Sequence, residues 1–394
     1  MSPVSAERDR QEIELQIAKA ASLLVTKGMA SDEAAEAYAR ARELAEQRSS
    51  AGRLVVALWG LWIGKQTRNE FDEARSLSNR LLILTERQGD DGLRLQAHHA
   101  AWTTFMFRGE PAPSCDHCEA GRRLYEPERH RSHAQLYGGH DPGVCANYIG
   151  SWVEWLLGYP DRAQRSINTA LDLAHQLGHP FSLLMTFVLG AVVEQFRRDP
   201  DSSLRHIASA EALAAEQRLA LFFDARMMRG GVLVTQDAAE EAMAQIEEGL
   251  AARQRPGANK LGRPYGLGLL SQVRAHLGNH QGALAAVSEG LAAAAESGER
   301  WWEPELYRLQ GLHLTSRREL AKAQSSFERA LQTARRQQAK SLELRATTSL
   351  ARLWAEQGRR TEAQEVLAPI YGWFTEGFDT VDLKEAKALL DALT

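Results

Sequence analysis

The sequence predicts an all-α protein: a right-handed superhelix of about nine helical hairpins, closed by one C-terminal helix. Three observations carry this. Between residues 301 and 372 one hairpin is written twice, so that Ala323, Phe327 and Ala330 of the first copy fall over Ala363, Leu367 and Ile370 of the second, forty residues on. The same small–large–small triplet recurs upstream at that period. Strand-type alternation is nearly absent. A small residue lets two helices approach closely, and the large apolar residue four positions on fills the gap beneath. A fixed period of about 20–50 residues signals an array whose units bury their apolar faces against their neighbours.

Taken in order, a first helix over about residues 7–26 pairs with one starting after Ser31, where Ser31 and Asp32 suit an N-cap. The triplets then run Ala34-Tyr38-Ala41, Ala74-Ser78-Leu81 and Ser114-Cys118-Gly121. The next, Ala163-Ile167-Ala170, comes 49 residues after Ser114, and the surplus falls in a polar connection, residues 128–143, between the third and fourth hairpins. Ser203-Ile207-Ala210, Ala242-Ile246-Gly249 and Ala283-Val287-Gly290 complete the ladder down to the duplicated pair. Residues 221–235 hold β-branched side chains, but the period places a helix there. Residues 381–393 form the closing helix, with Phe374 and Phe378 positioned to cover the last hairpin. The whole chain, 1–394, reads as one array in which each unit touches only its neighbours.

Net charge is −4, with no basic stripe, which argues against nucleic acid as a partner. Three clustered cysteines are too few for a disulfide framework, and no apolar run is long enough to span a bilayer. The N-terminus is charged, without a signal-peptide core, so a cytoplasmic location is expected.

The triplet spacing is that of tetratricopeptide repeats, although forty residues exceed the usual period of about 34 and imply helices longer by about a turn. Longer phrases sharpen the likeness: GGHDPGVC (138–145), LLGYPDRA (156–163), ALDLAHQLGHPFSL (170–183), ERWWEPELYRLQG (299–311) and YGWFTEGFDTVDLKEAKALLDAL (371–393). They resemble the C-terminal tetratricopeptide region of bacterial class III adenylate/guanylate cyclases and of STAND-type ATPase transcriptional regulators. That resemblance implies a sensor or scaffold arm. This chain has no room for either catalytic domain, so their activities do not transfer.

No cofactor motif is present. The segment from Gly60 to Lys65 imitates a phosphate-binding loop, but it has one spacer too few, lacks the following Ser or Thr, and sits within a helix. Six of the twelve histidines, including His98, His117 and His140, fall in the third hairpin and the inserted connection. Cys115-Asp116-His117-Cys118 has a spacing that could hold zinc, although Cys118 occupies the apolar slot of its repeat and no second ligand pair follows. Asp141-Pro142 reads as an N-cap with a first-turn proline.

Aromatic and arginine side chains on the first helix of each hairpin are candidates for the concave face, where they would anchor a partner. One set is His98, Trp102, His140, Asn147, Tyr148 and Trp152; the second is Arg226, Arg229, Tyr265, Trp301 and Glu305. The expectation is a non-catalytic interaction module that holds a protein segment or a small effector in its groove. The alternatives are a sensor arm serving a separate ATPase, cyclase or regulator chain, and a metal- or histidine-dependent site around residues 98–140.

Overall fold

The computed structural model describes residues 3–217, 225–234 and 238–394, and among these every regular element is a helix. The hairpins are α1 (Pro3–Lys27) with α2 (Asp32–Gln47), α3 (Ala51–Thr67) with α4 (Phe71–Glu86), and α5 (Asp91–Phe107) with α6 (Pro111–Leu124). The inserted connection holds two single turns, α7 (Pro127–His130) and α8 (His133–Leu136). Then come α9 (Pro142–Leu156) with α10 (Pro160–Leu177), α11 (Pro180–Arg197) with α12 (Pro200–Gln217), and α13 (Ala225–Leu233) with α14 (Ala239–Ala252). The last three pairs are α15 (Arg263–His276) with α16 (His280–Ser297), α17 (Glu303–Ser316) with α18 (Leu320–Gln337), and α19 (Lys340–Glu356) with α20 (Arg360–Tyr371); α21 (Val381–Leu393) closes the array. Ser31 and Asp141 cap their helices through side-chain oxygens that accept from Ala34 N and Val144 N. Of the expected helix over 221–235, residues 225–233 are helical, and residues 221–224 and 235 lie outside the described residues.

One conformational mark recurs at each described turn within a hairpin. Gly28, Asn69, Gly109, Gly158, Arg198, Gly278, Arg318 and Gly358 all take positive φ, between 61 and 97° for the set. A helix that must reverse within two or three residues ends in the left-handed region, which glycine enters without cost and an arginine does not. Between the helices, the small–large rule is visible in atoms. The Phe327 ring lies so close over Gly311 that a β-carbon there would sit 2.4 Å from it.

The array does not obey the nearest-neighbour expectation. Its second half winds back onto its first, five hairpins on. The carbonyl of Thr67, at the end of α3, accepts from Lys260 N just before α15 (2.9 Å), and the carbonyl of Phe107, at the end of α5, accepts from Arg300 N just before α17 (2.9 Å). Trp155 O, in α9, accepts from Ser341 Oγ at the start of α19 (2.5 Å), and Phe196 O, in α11, accepts from the Arg345 guanidinium (2.5 Å). These acceptors lie in the last turns of their helices, and the donors stand at or near the N-terminal ends of later helices, so the helix dipoles meet with opposite signs. The outer end of the seam is held by Glu376, whose carboxylate accepts from Asp161 N and Arg162 N (both 2.9 Å). Phe374 is buried in the terminal core, whereas Phe378 is 48% exposed and only edges onto Tyr371.

An aromatic wall fills the axis between the two superhelical turns. Trp152 stacks on Trp301 (5.4 Å between centroids), Trp301 on Tyr265 (5.6 Å), Phe196 on Trp302 (5.2 Å) and Trp155 on Phe196 (4.7 Å). Beneath it lies the buried Glu299, accepting from Trp301 Nε1 (2.9 Å) and from Gly262 N (3.0 Å). Burial lifts the Glu299 carboxyl to about 7, against the pull of these two donors and of Arg253. The folded chain therefore binds a proton that the unfolded chain has released. Stability from this group is complete below the ordinary value of 4.5 and is lost as pH rises through about 7. The expected loss is on the order of 3 kcal/mol. Urea denaturation over a pH series should show this slope in the wild type and a flattened one in Glu299→Gln.

Candidate ligand sites inside the superhelix

With the axis packed, the inner face survives as separate cavities. One of about 560 Å³ lies between the end of α11, the helices α13, α15, α17 and α19, and the closing α21. Its lining carries four arginines (Arg198, Arg308, Arg345, Arg352) against four acids (Asp199, Glu305, Asp382, Glu385), with Phe196, Tyr265 and Trp302 as apolar floor. Arg308 grips Glu305 with both ends of its fork (2.6 and 2.8 Å). Arg345 bonds Asp382 (2.8 Å), lies 3.7 Å from Glu305 and sits over the Trp155 ring (4.8 Å). Burial alone would raise the Glu305 carboxyl, but Arg308 and Arg345 outweigh it and hold the group below its ordinary value. At the mouth, Arg198 reaches Glu385 (2.8 Å), and Arg352 stands 3.8 Å from the same carboxylate. Balanced, fixed charges beside an aromatic floor suit a zwitterionic ligand with an apolar side chain, such as a short peptide.

The sequence-predicted residues distribute over several places. Tyr265 and Glu305 line this cavity, and Tyr265 donates to Gln195 Oε1 (2.6 Å). Trp301 is buried one layer behind, and it is the neighbouring Trp302 that faces the space. Trp152, His140 and Tyr148 border a second cavity of about 70 Å³ on the other side of the aromatic wall. Arg226 borders an open groove between Gly28 and the segment 252–259. Arg229 pairs with Glu211. Trp102 is fully buried and stacks on His99 (4.9 Å). His98 Nδ1 meets His117 Nδ1 (2.8 Å), and Asn147 donates to Gly143 O (2.8 Å). Trp102 therefore packs between adjacent hairpins, against His99 and over Gly121, whereas Trp152 and Trp301 stack on each other across the two turns, Trp152 also bordering the smaller cavity. Residues the sequence did not single out, Arg308, Arg345 and Asp382, form the polar heart of the larger cavity.

Cys115, His117 and Cys118 do not converge. Cys115 Sγ lies 3.9 Å from Glu119 and 4.0 Å from Arg162, while Cys118 is sealed in the core. Among the described residues, one group of three side chains does bring metal-type ligand atoms together: His99, His140 and Cys145. No helix among the described residues is long and apolar enough to cross a membrane.

The chain is a tetratricopeptide-repeat superhelix wound through nearly two turns. No protein-family model and no curated protein matches it. Solved structures are similar to it, and the first two named below share its fold. A Rap protein complexed with Competence and Sporulation Factor aligns at 12% identity over 86% of this chain and 96% of that one, with a TM-score of 0.54. The Rap conjugation gene regulator of plasmid pLS20, in complex with the Phr* peptide, aligns at 10% identity over 97% and 95%, with a TM-score of 0.53. A STAND protein with a tetratricopeptide repeat sensor from Pyrococcus horikoshii aligns at 11% identity over 92% of this chain and 50% of that one, with a TM-score of 0.40.

Proposed function

We propose that this chain is a non-catalytic regulatory module that binds a short peptide in the cavity of about 560 Å³ between its two superhelical turns. The observation that carries the reading is that cavity's lining: a buried Glu305 held between the half-buried Arg308 and Arg345 beside an aromatic floor, with exposed Arg352 and Gln272 at its edge. Its volume lies within the range of about 300–1,000 Å³ common for ligand sites. The Phr* peptide held by a similarly folded Rap regulator supports the same class of ligand. Peptides would lie along successive first helices, their charged groups exchanging with the arginine–carboxylate pairs at the mouth.

Panning a random peptide library against the full chain, followed by calorimetry of the selected peptides, tests this. Arg352→Ala and Gln272→Ala should each weaken binding about tenfold or more while leaving the melting temperature nearly unchanged, since both side chains are exposed. Equal affinity in both variants and the wild type would place the peptide elsewhere.

A further inference from the structure

We propose that His99, His140 and Cys145 form a zinc site, two imidazole nitrogens and one thiolate holding the ion with a coordination position open to the cavity of about 70 Å³. The three residues come from α5, the inserted connection and α9, so the ion would join the third hairpin, the insertion and the fourth hairpin.

The ligand atoms already stand where a metal needs them. His99 Nε2 lies 3.1 Å from His140 Nε2 and 3.3 Å from Cys145 Sγ, and all three atoms lie within 4.8 Å of one another. A tetrahedral zinc with ordinary bond lengths sets nitrogen–nitrogen edges at about 3.3 Å and nitrogen–sulfur edges at about 3.6 Å. Shifts of a few tenths of an ångström bring these two edges to those lengths, and the His140–Cys145 edge, within 4.8 Å, would close on the ion with them.

The surrounding hydrogen bonds fix the tautomers. The amide nitrogen of Gln96 lies 3.0 Å from His133 Nδ1, which turns its oxygen towards His99 Nδ1 (3.1 Å). His140 Nδ1 lies 3.2 Å from the carbonyl of Gly138, an oxygen that can only accept. Both rings thus carry their proton on Nδ1 and turn bare Nε2 lone pairs towards each other. Cys145 has one thiol proton, which can satisfy one of them; a cation satisfies both. Such outer partners, orienting a histidine through its second nitrogen, are the usual support of a metal ligand.

Burial holds His99 well below its ordinary value and His140 at about 4, so both rings are neutral, the form that binds metal. Burial pushes the Cys145 thiol up to about 12, while the Tyr148 hydroxyl and the Trp102 indole pull the other way. Binding would replace the thiol proton: Zn²⁺ and the Cys145 thiol give a zinc–sulfur bond and one released proton. Calcium and magnesium are poor candidates, because the set offers no oxygen ligand. Met185, Ile149 and Leu261 line the cavity at the open position, which has room for a water or the donor atom of a small ligand.

The test uses the untagged full chain, stripped with a chelator and then titrated with zinc or cobalt. Zinc should bind at about one equivalent and raise the melting temperature. Cobalt should give a tetrahedral visible spectrum with a thiolate-to-cobalt charge-transfer band. Cys145→Ser should abolish that band, Cys115→Ser should keep it, and His140→Gln should weaken zinc at least tenfold. Less than about 0.1 equivalent of zinc in wild-type protein that retains its helical signal would overturn the proposal. A sulfur band that persists in Cys145→Ser would do the same. A stoichiometric metal other than zinc on these ligands would overturn the choice of ion.

Discussion

Trp301→Ala is expected to cost about 3–5 kcal/mol of unfolding free energy and to part the two superhelical turns before the hairpins themselves unfold. The side chain is fully buried and stacks on Trp152 from the first turn and on Tyr265 from the second. Truncation leaves a cavity at the axis and removes the Nε1–H that Glu299 accepts. A repeat array without long-range closure spreads such a loss over neighbouring units. Here it should register at a distance. Amide exchange at Arg300 and Lys260, whose N–H groups donate to Phe107 O and Thr67 O across the seam, should accelerate together. Equilibrium denaturation with exchange mass spectrometry reads both effects. A loss under about 1 kcal/mol, or faster exchange confined to α17, would mean that the wall does not hold the turns together.

Arg345→Met should cost a similar 3–5 kcal/mol. The side chain is 9% exposed and its guanidinium joins four groups from distant parts of the chain: Asp382 of the closing helix, Glu305, the Phe196 carbonyl and the Trp155 face. Methionine keeps most of the volume, so cavity formation is a small part of the effect. The larger part is Asp382, left half-buried with Arg198 at 3.5 Å as its remaining cation, and a Phe196 carbonyl without its donor. Glu305 keeps its two bonds from Arg308, so Arg345→Met together with Asp382→Asn should recover part of the loss. A double-mutant cycle in urea measures that recovery; strict additivity would contradict the pairing. The closing helix should also fray first, since Arg345 ties it to α19 and, through the Phe196 carbonyl, to the first superhelical turn, where Arg198 is its direct partner.

Much of the fold was legible. Ala323 and Ala363 set a period that located the hairpins, the nine-residue surplus marked the insertion, and the closing helix falls at Val381–Leu393 as expected. The left-handed turn positions would have given the same register, but Asn69, Arg198 and Arg318 stand where the other turns use glycine and hide it. Closure of the superhelix could not be read. Packing between adjacent hairpins uses the same triplets whether the pitch is open or tight, and a partner for the Phe107 carbonyl 193 residues away leaves no periodic signal. That is why the stacking of Trp152 on Trp301 across the axis was not foreseen when both were placed on a groove face. The lining of the larger cavity was legible only in part. Tyr265 and Glu305 were reached through their place on first helices, whereas Arg308 and Arg345 look like ordinary surface arginines until the second turn covers them. The Cys115–Cys118 spacing drew attention because it is local. His99, His140 and Cys145 are brought together by two helices and a loop, and the one local hint was His140 five residues before Cys145, across the Asp141 cap.

Amide exchange of the full chain, with and without the tightest peptide selected against it, tests the central claim most directly. Binding between the superhelical turns predicts slower exchange in α11, α15, α17, α19 and α21, with the convex second helices α4, α6 and α10 unchanged. Protection on those convex helices, with the cavity helices unaffected, would contradict it.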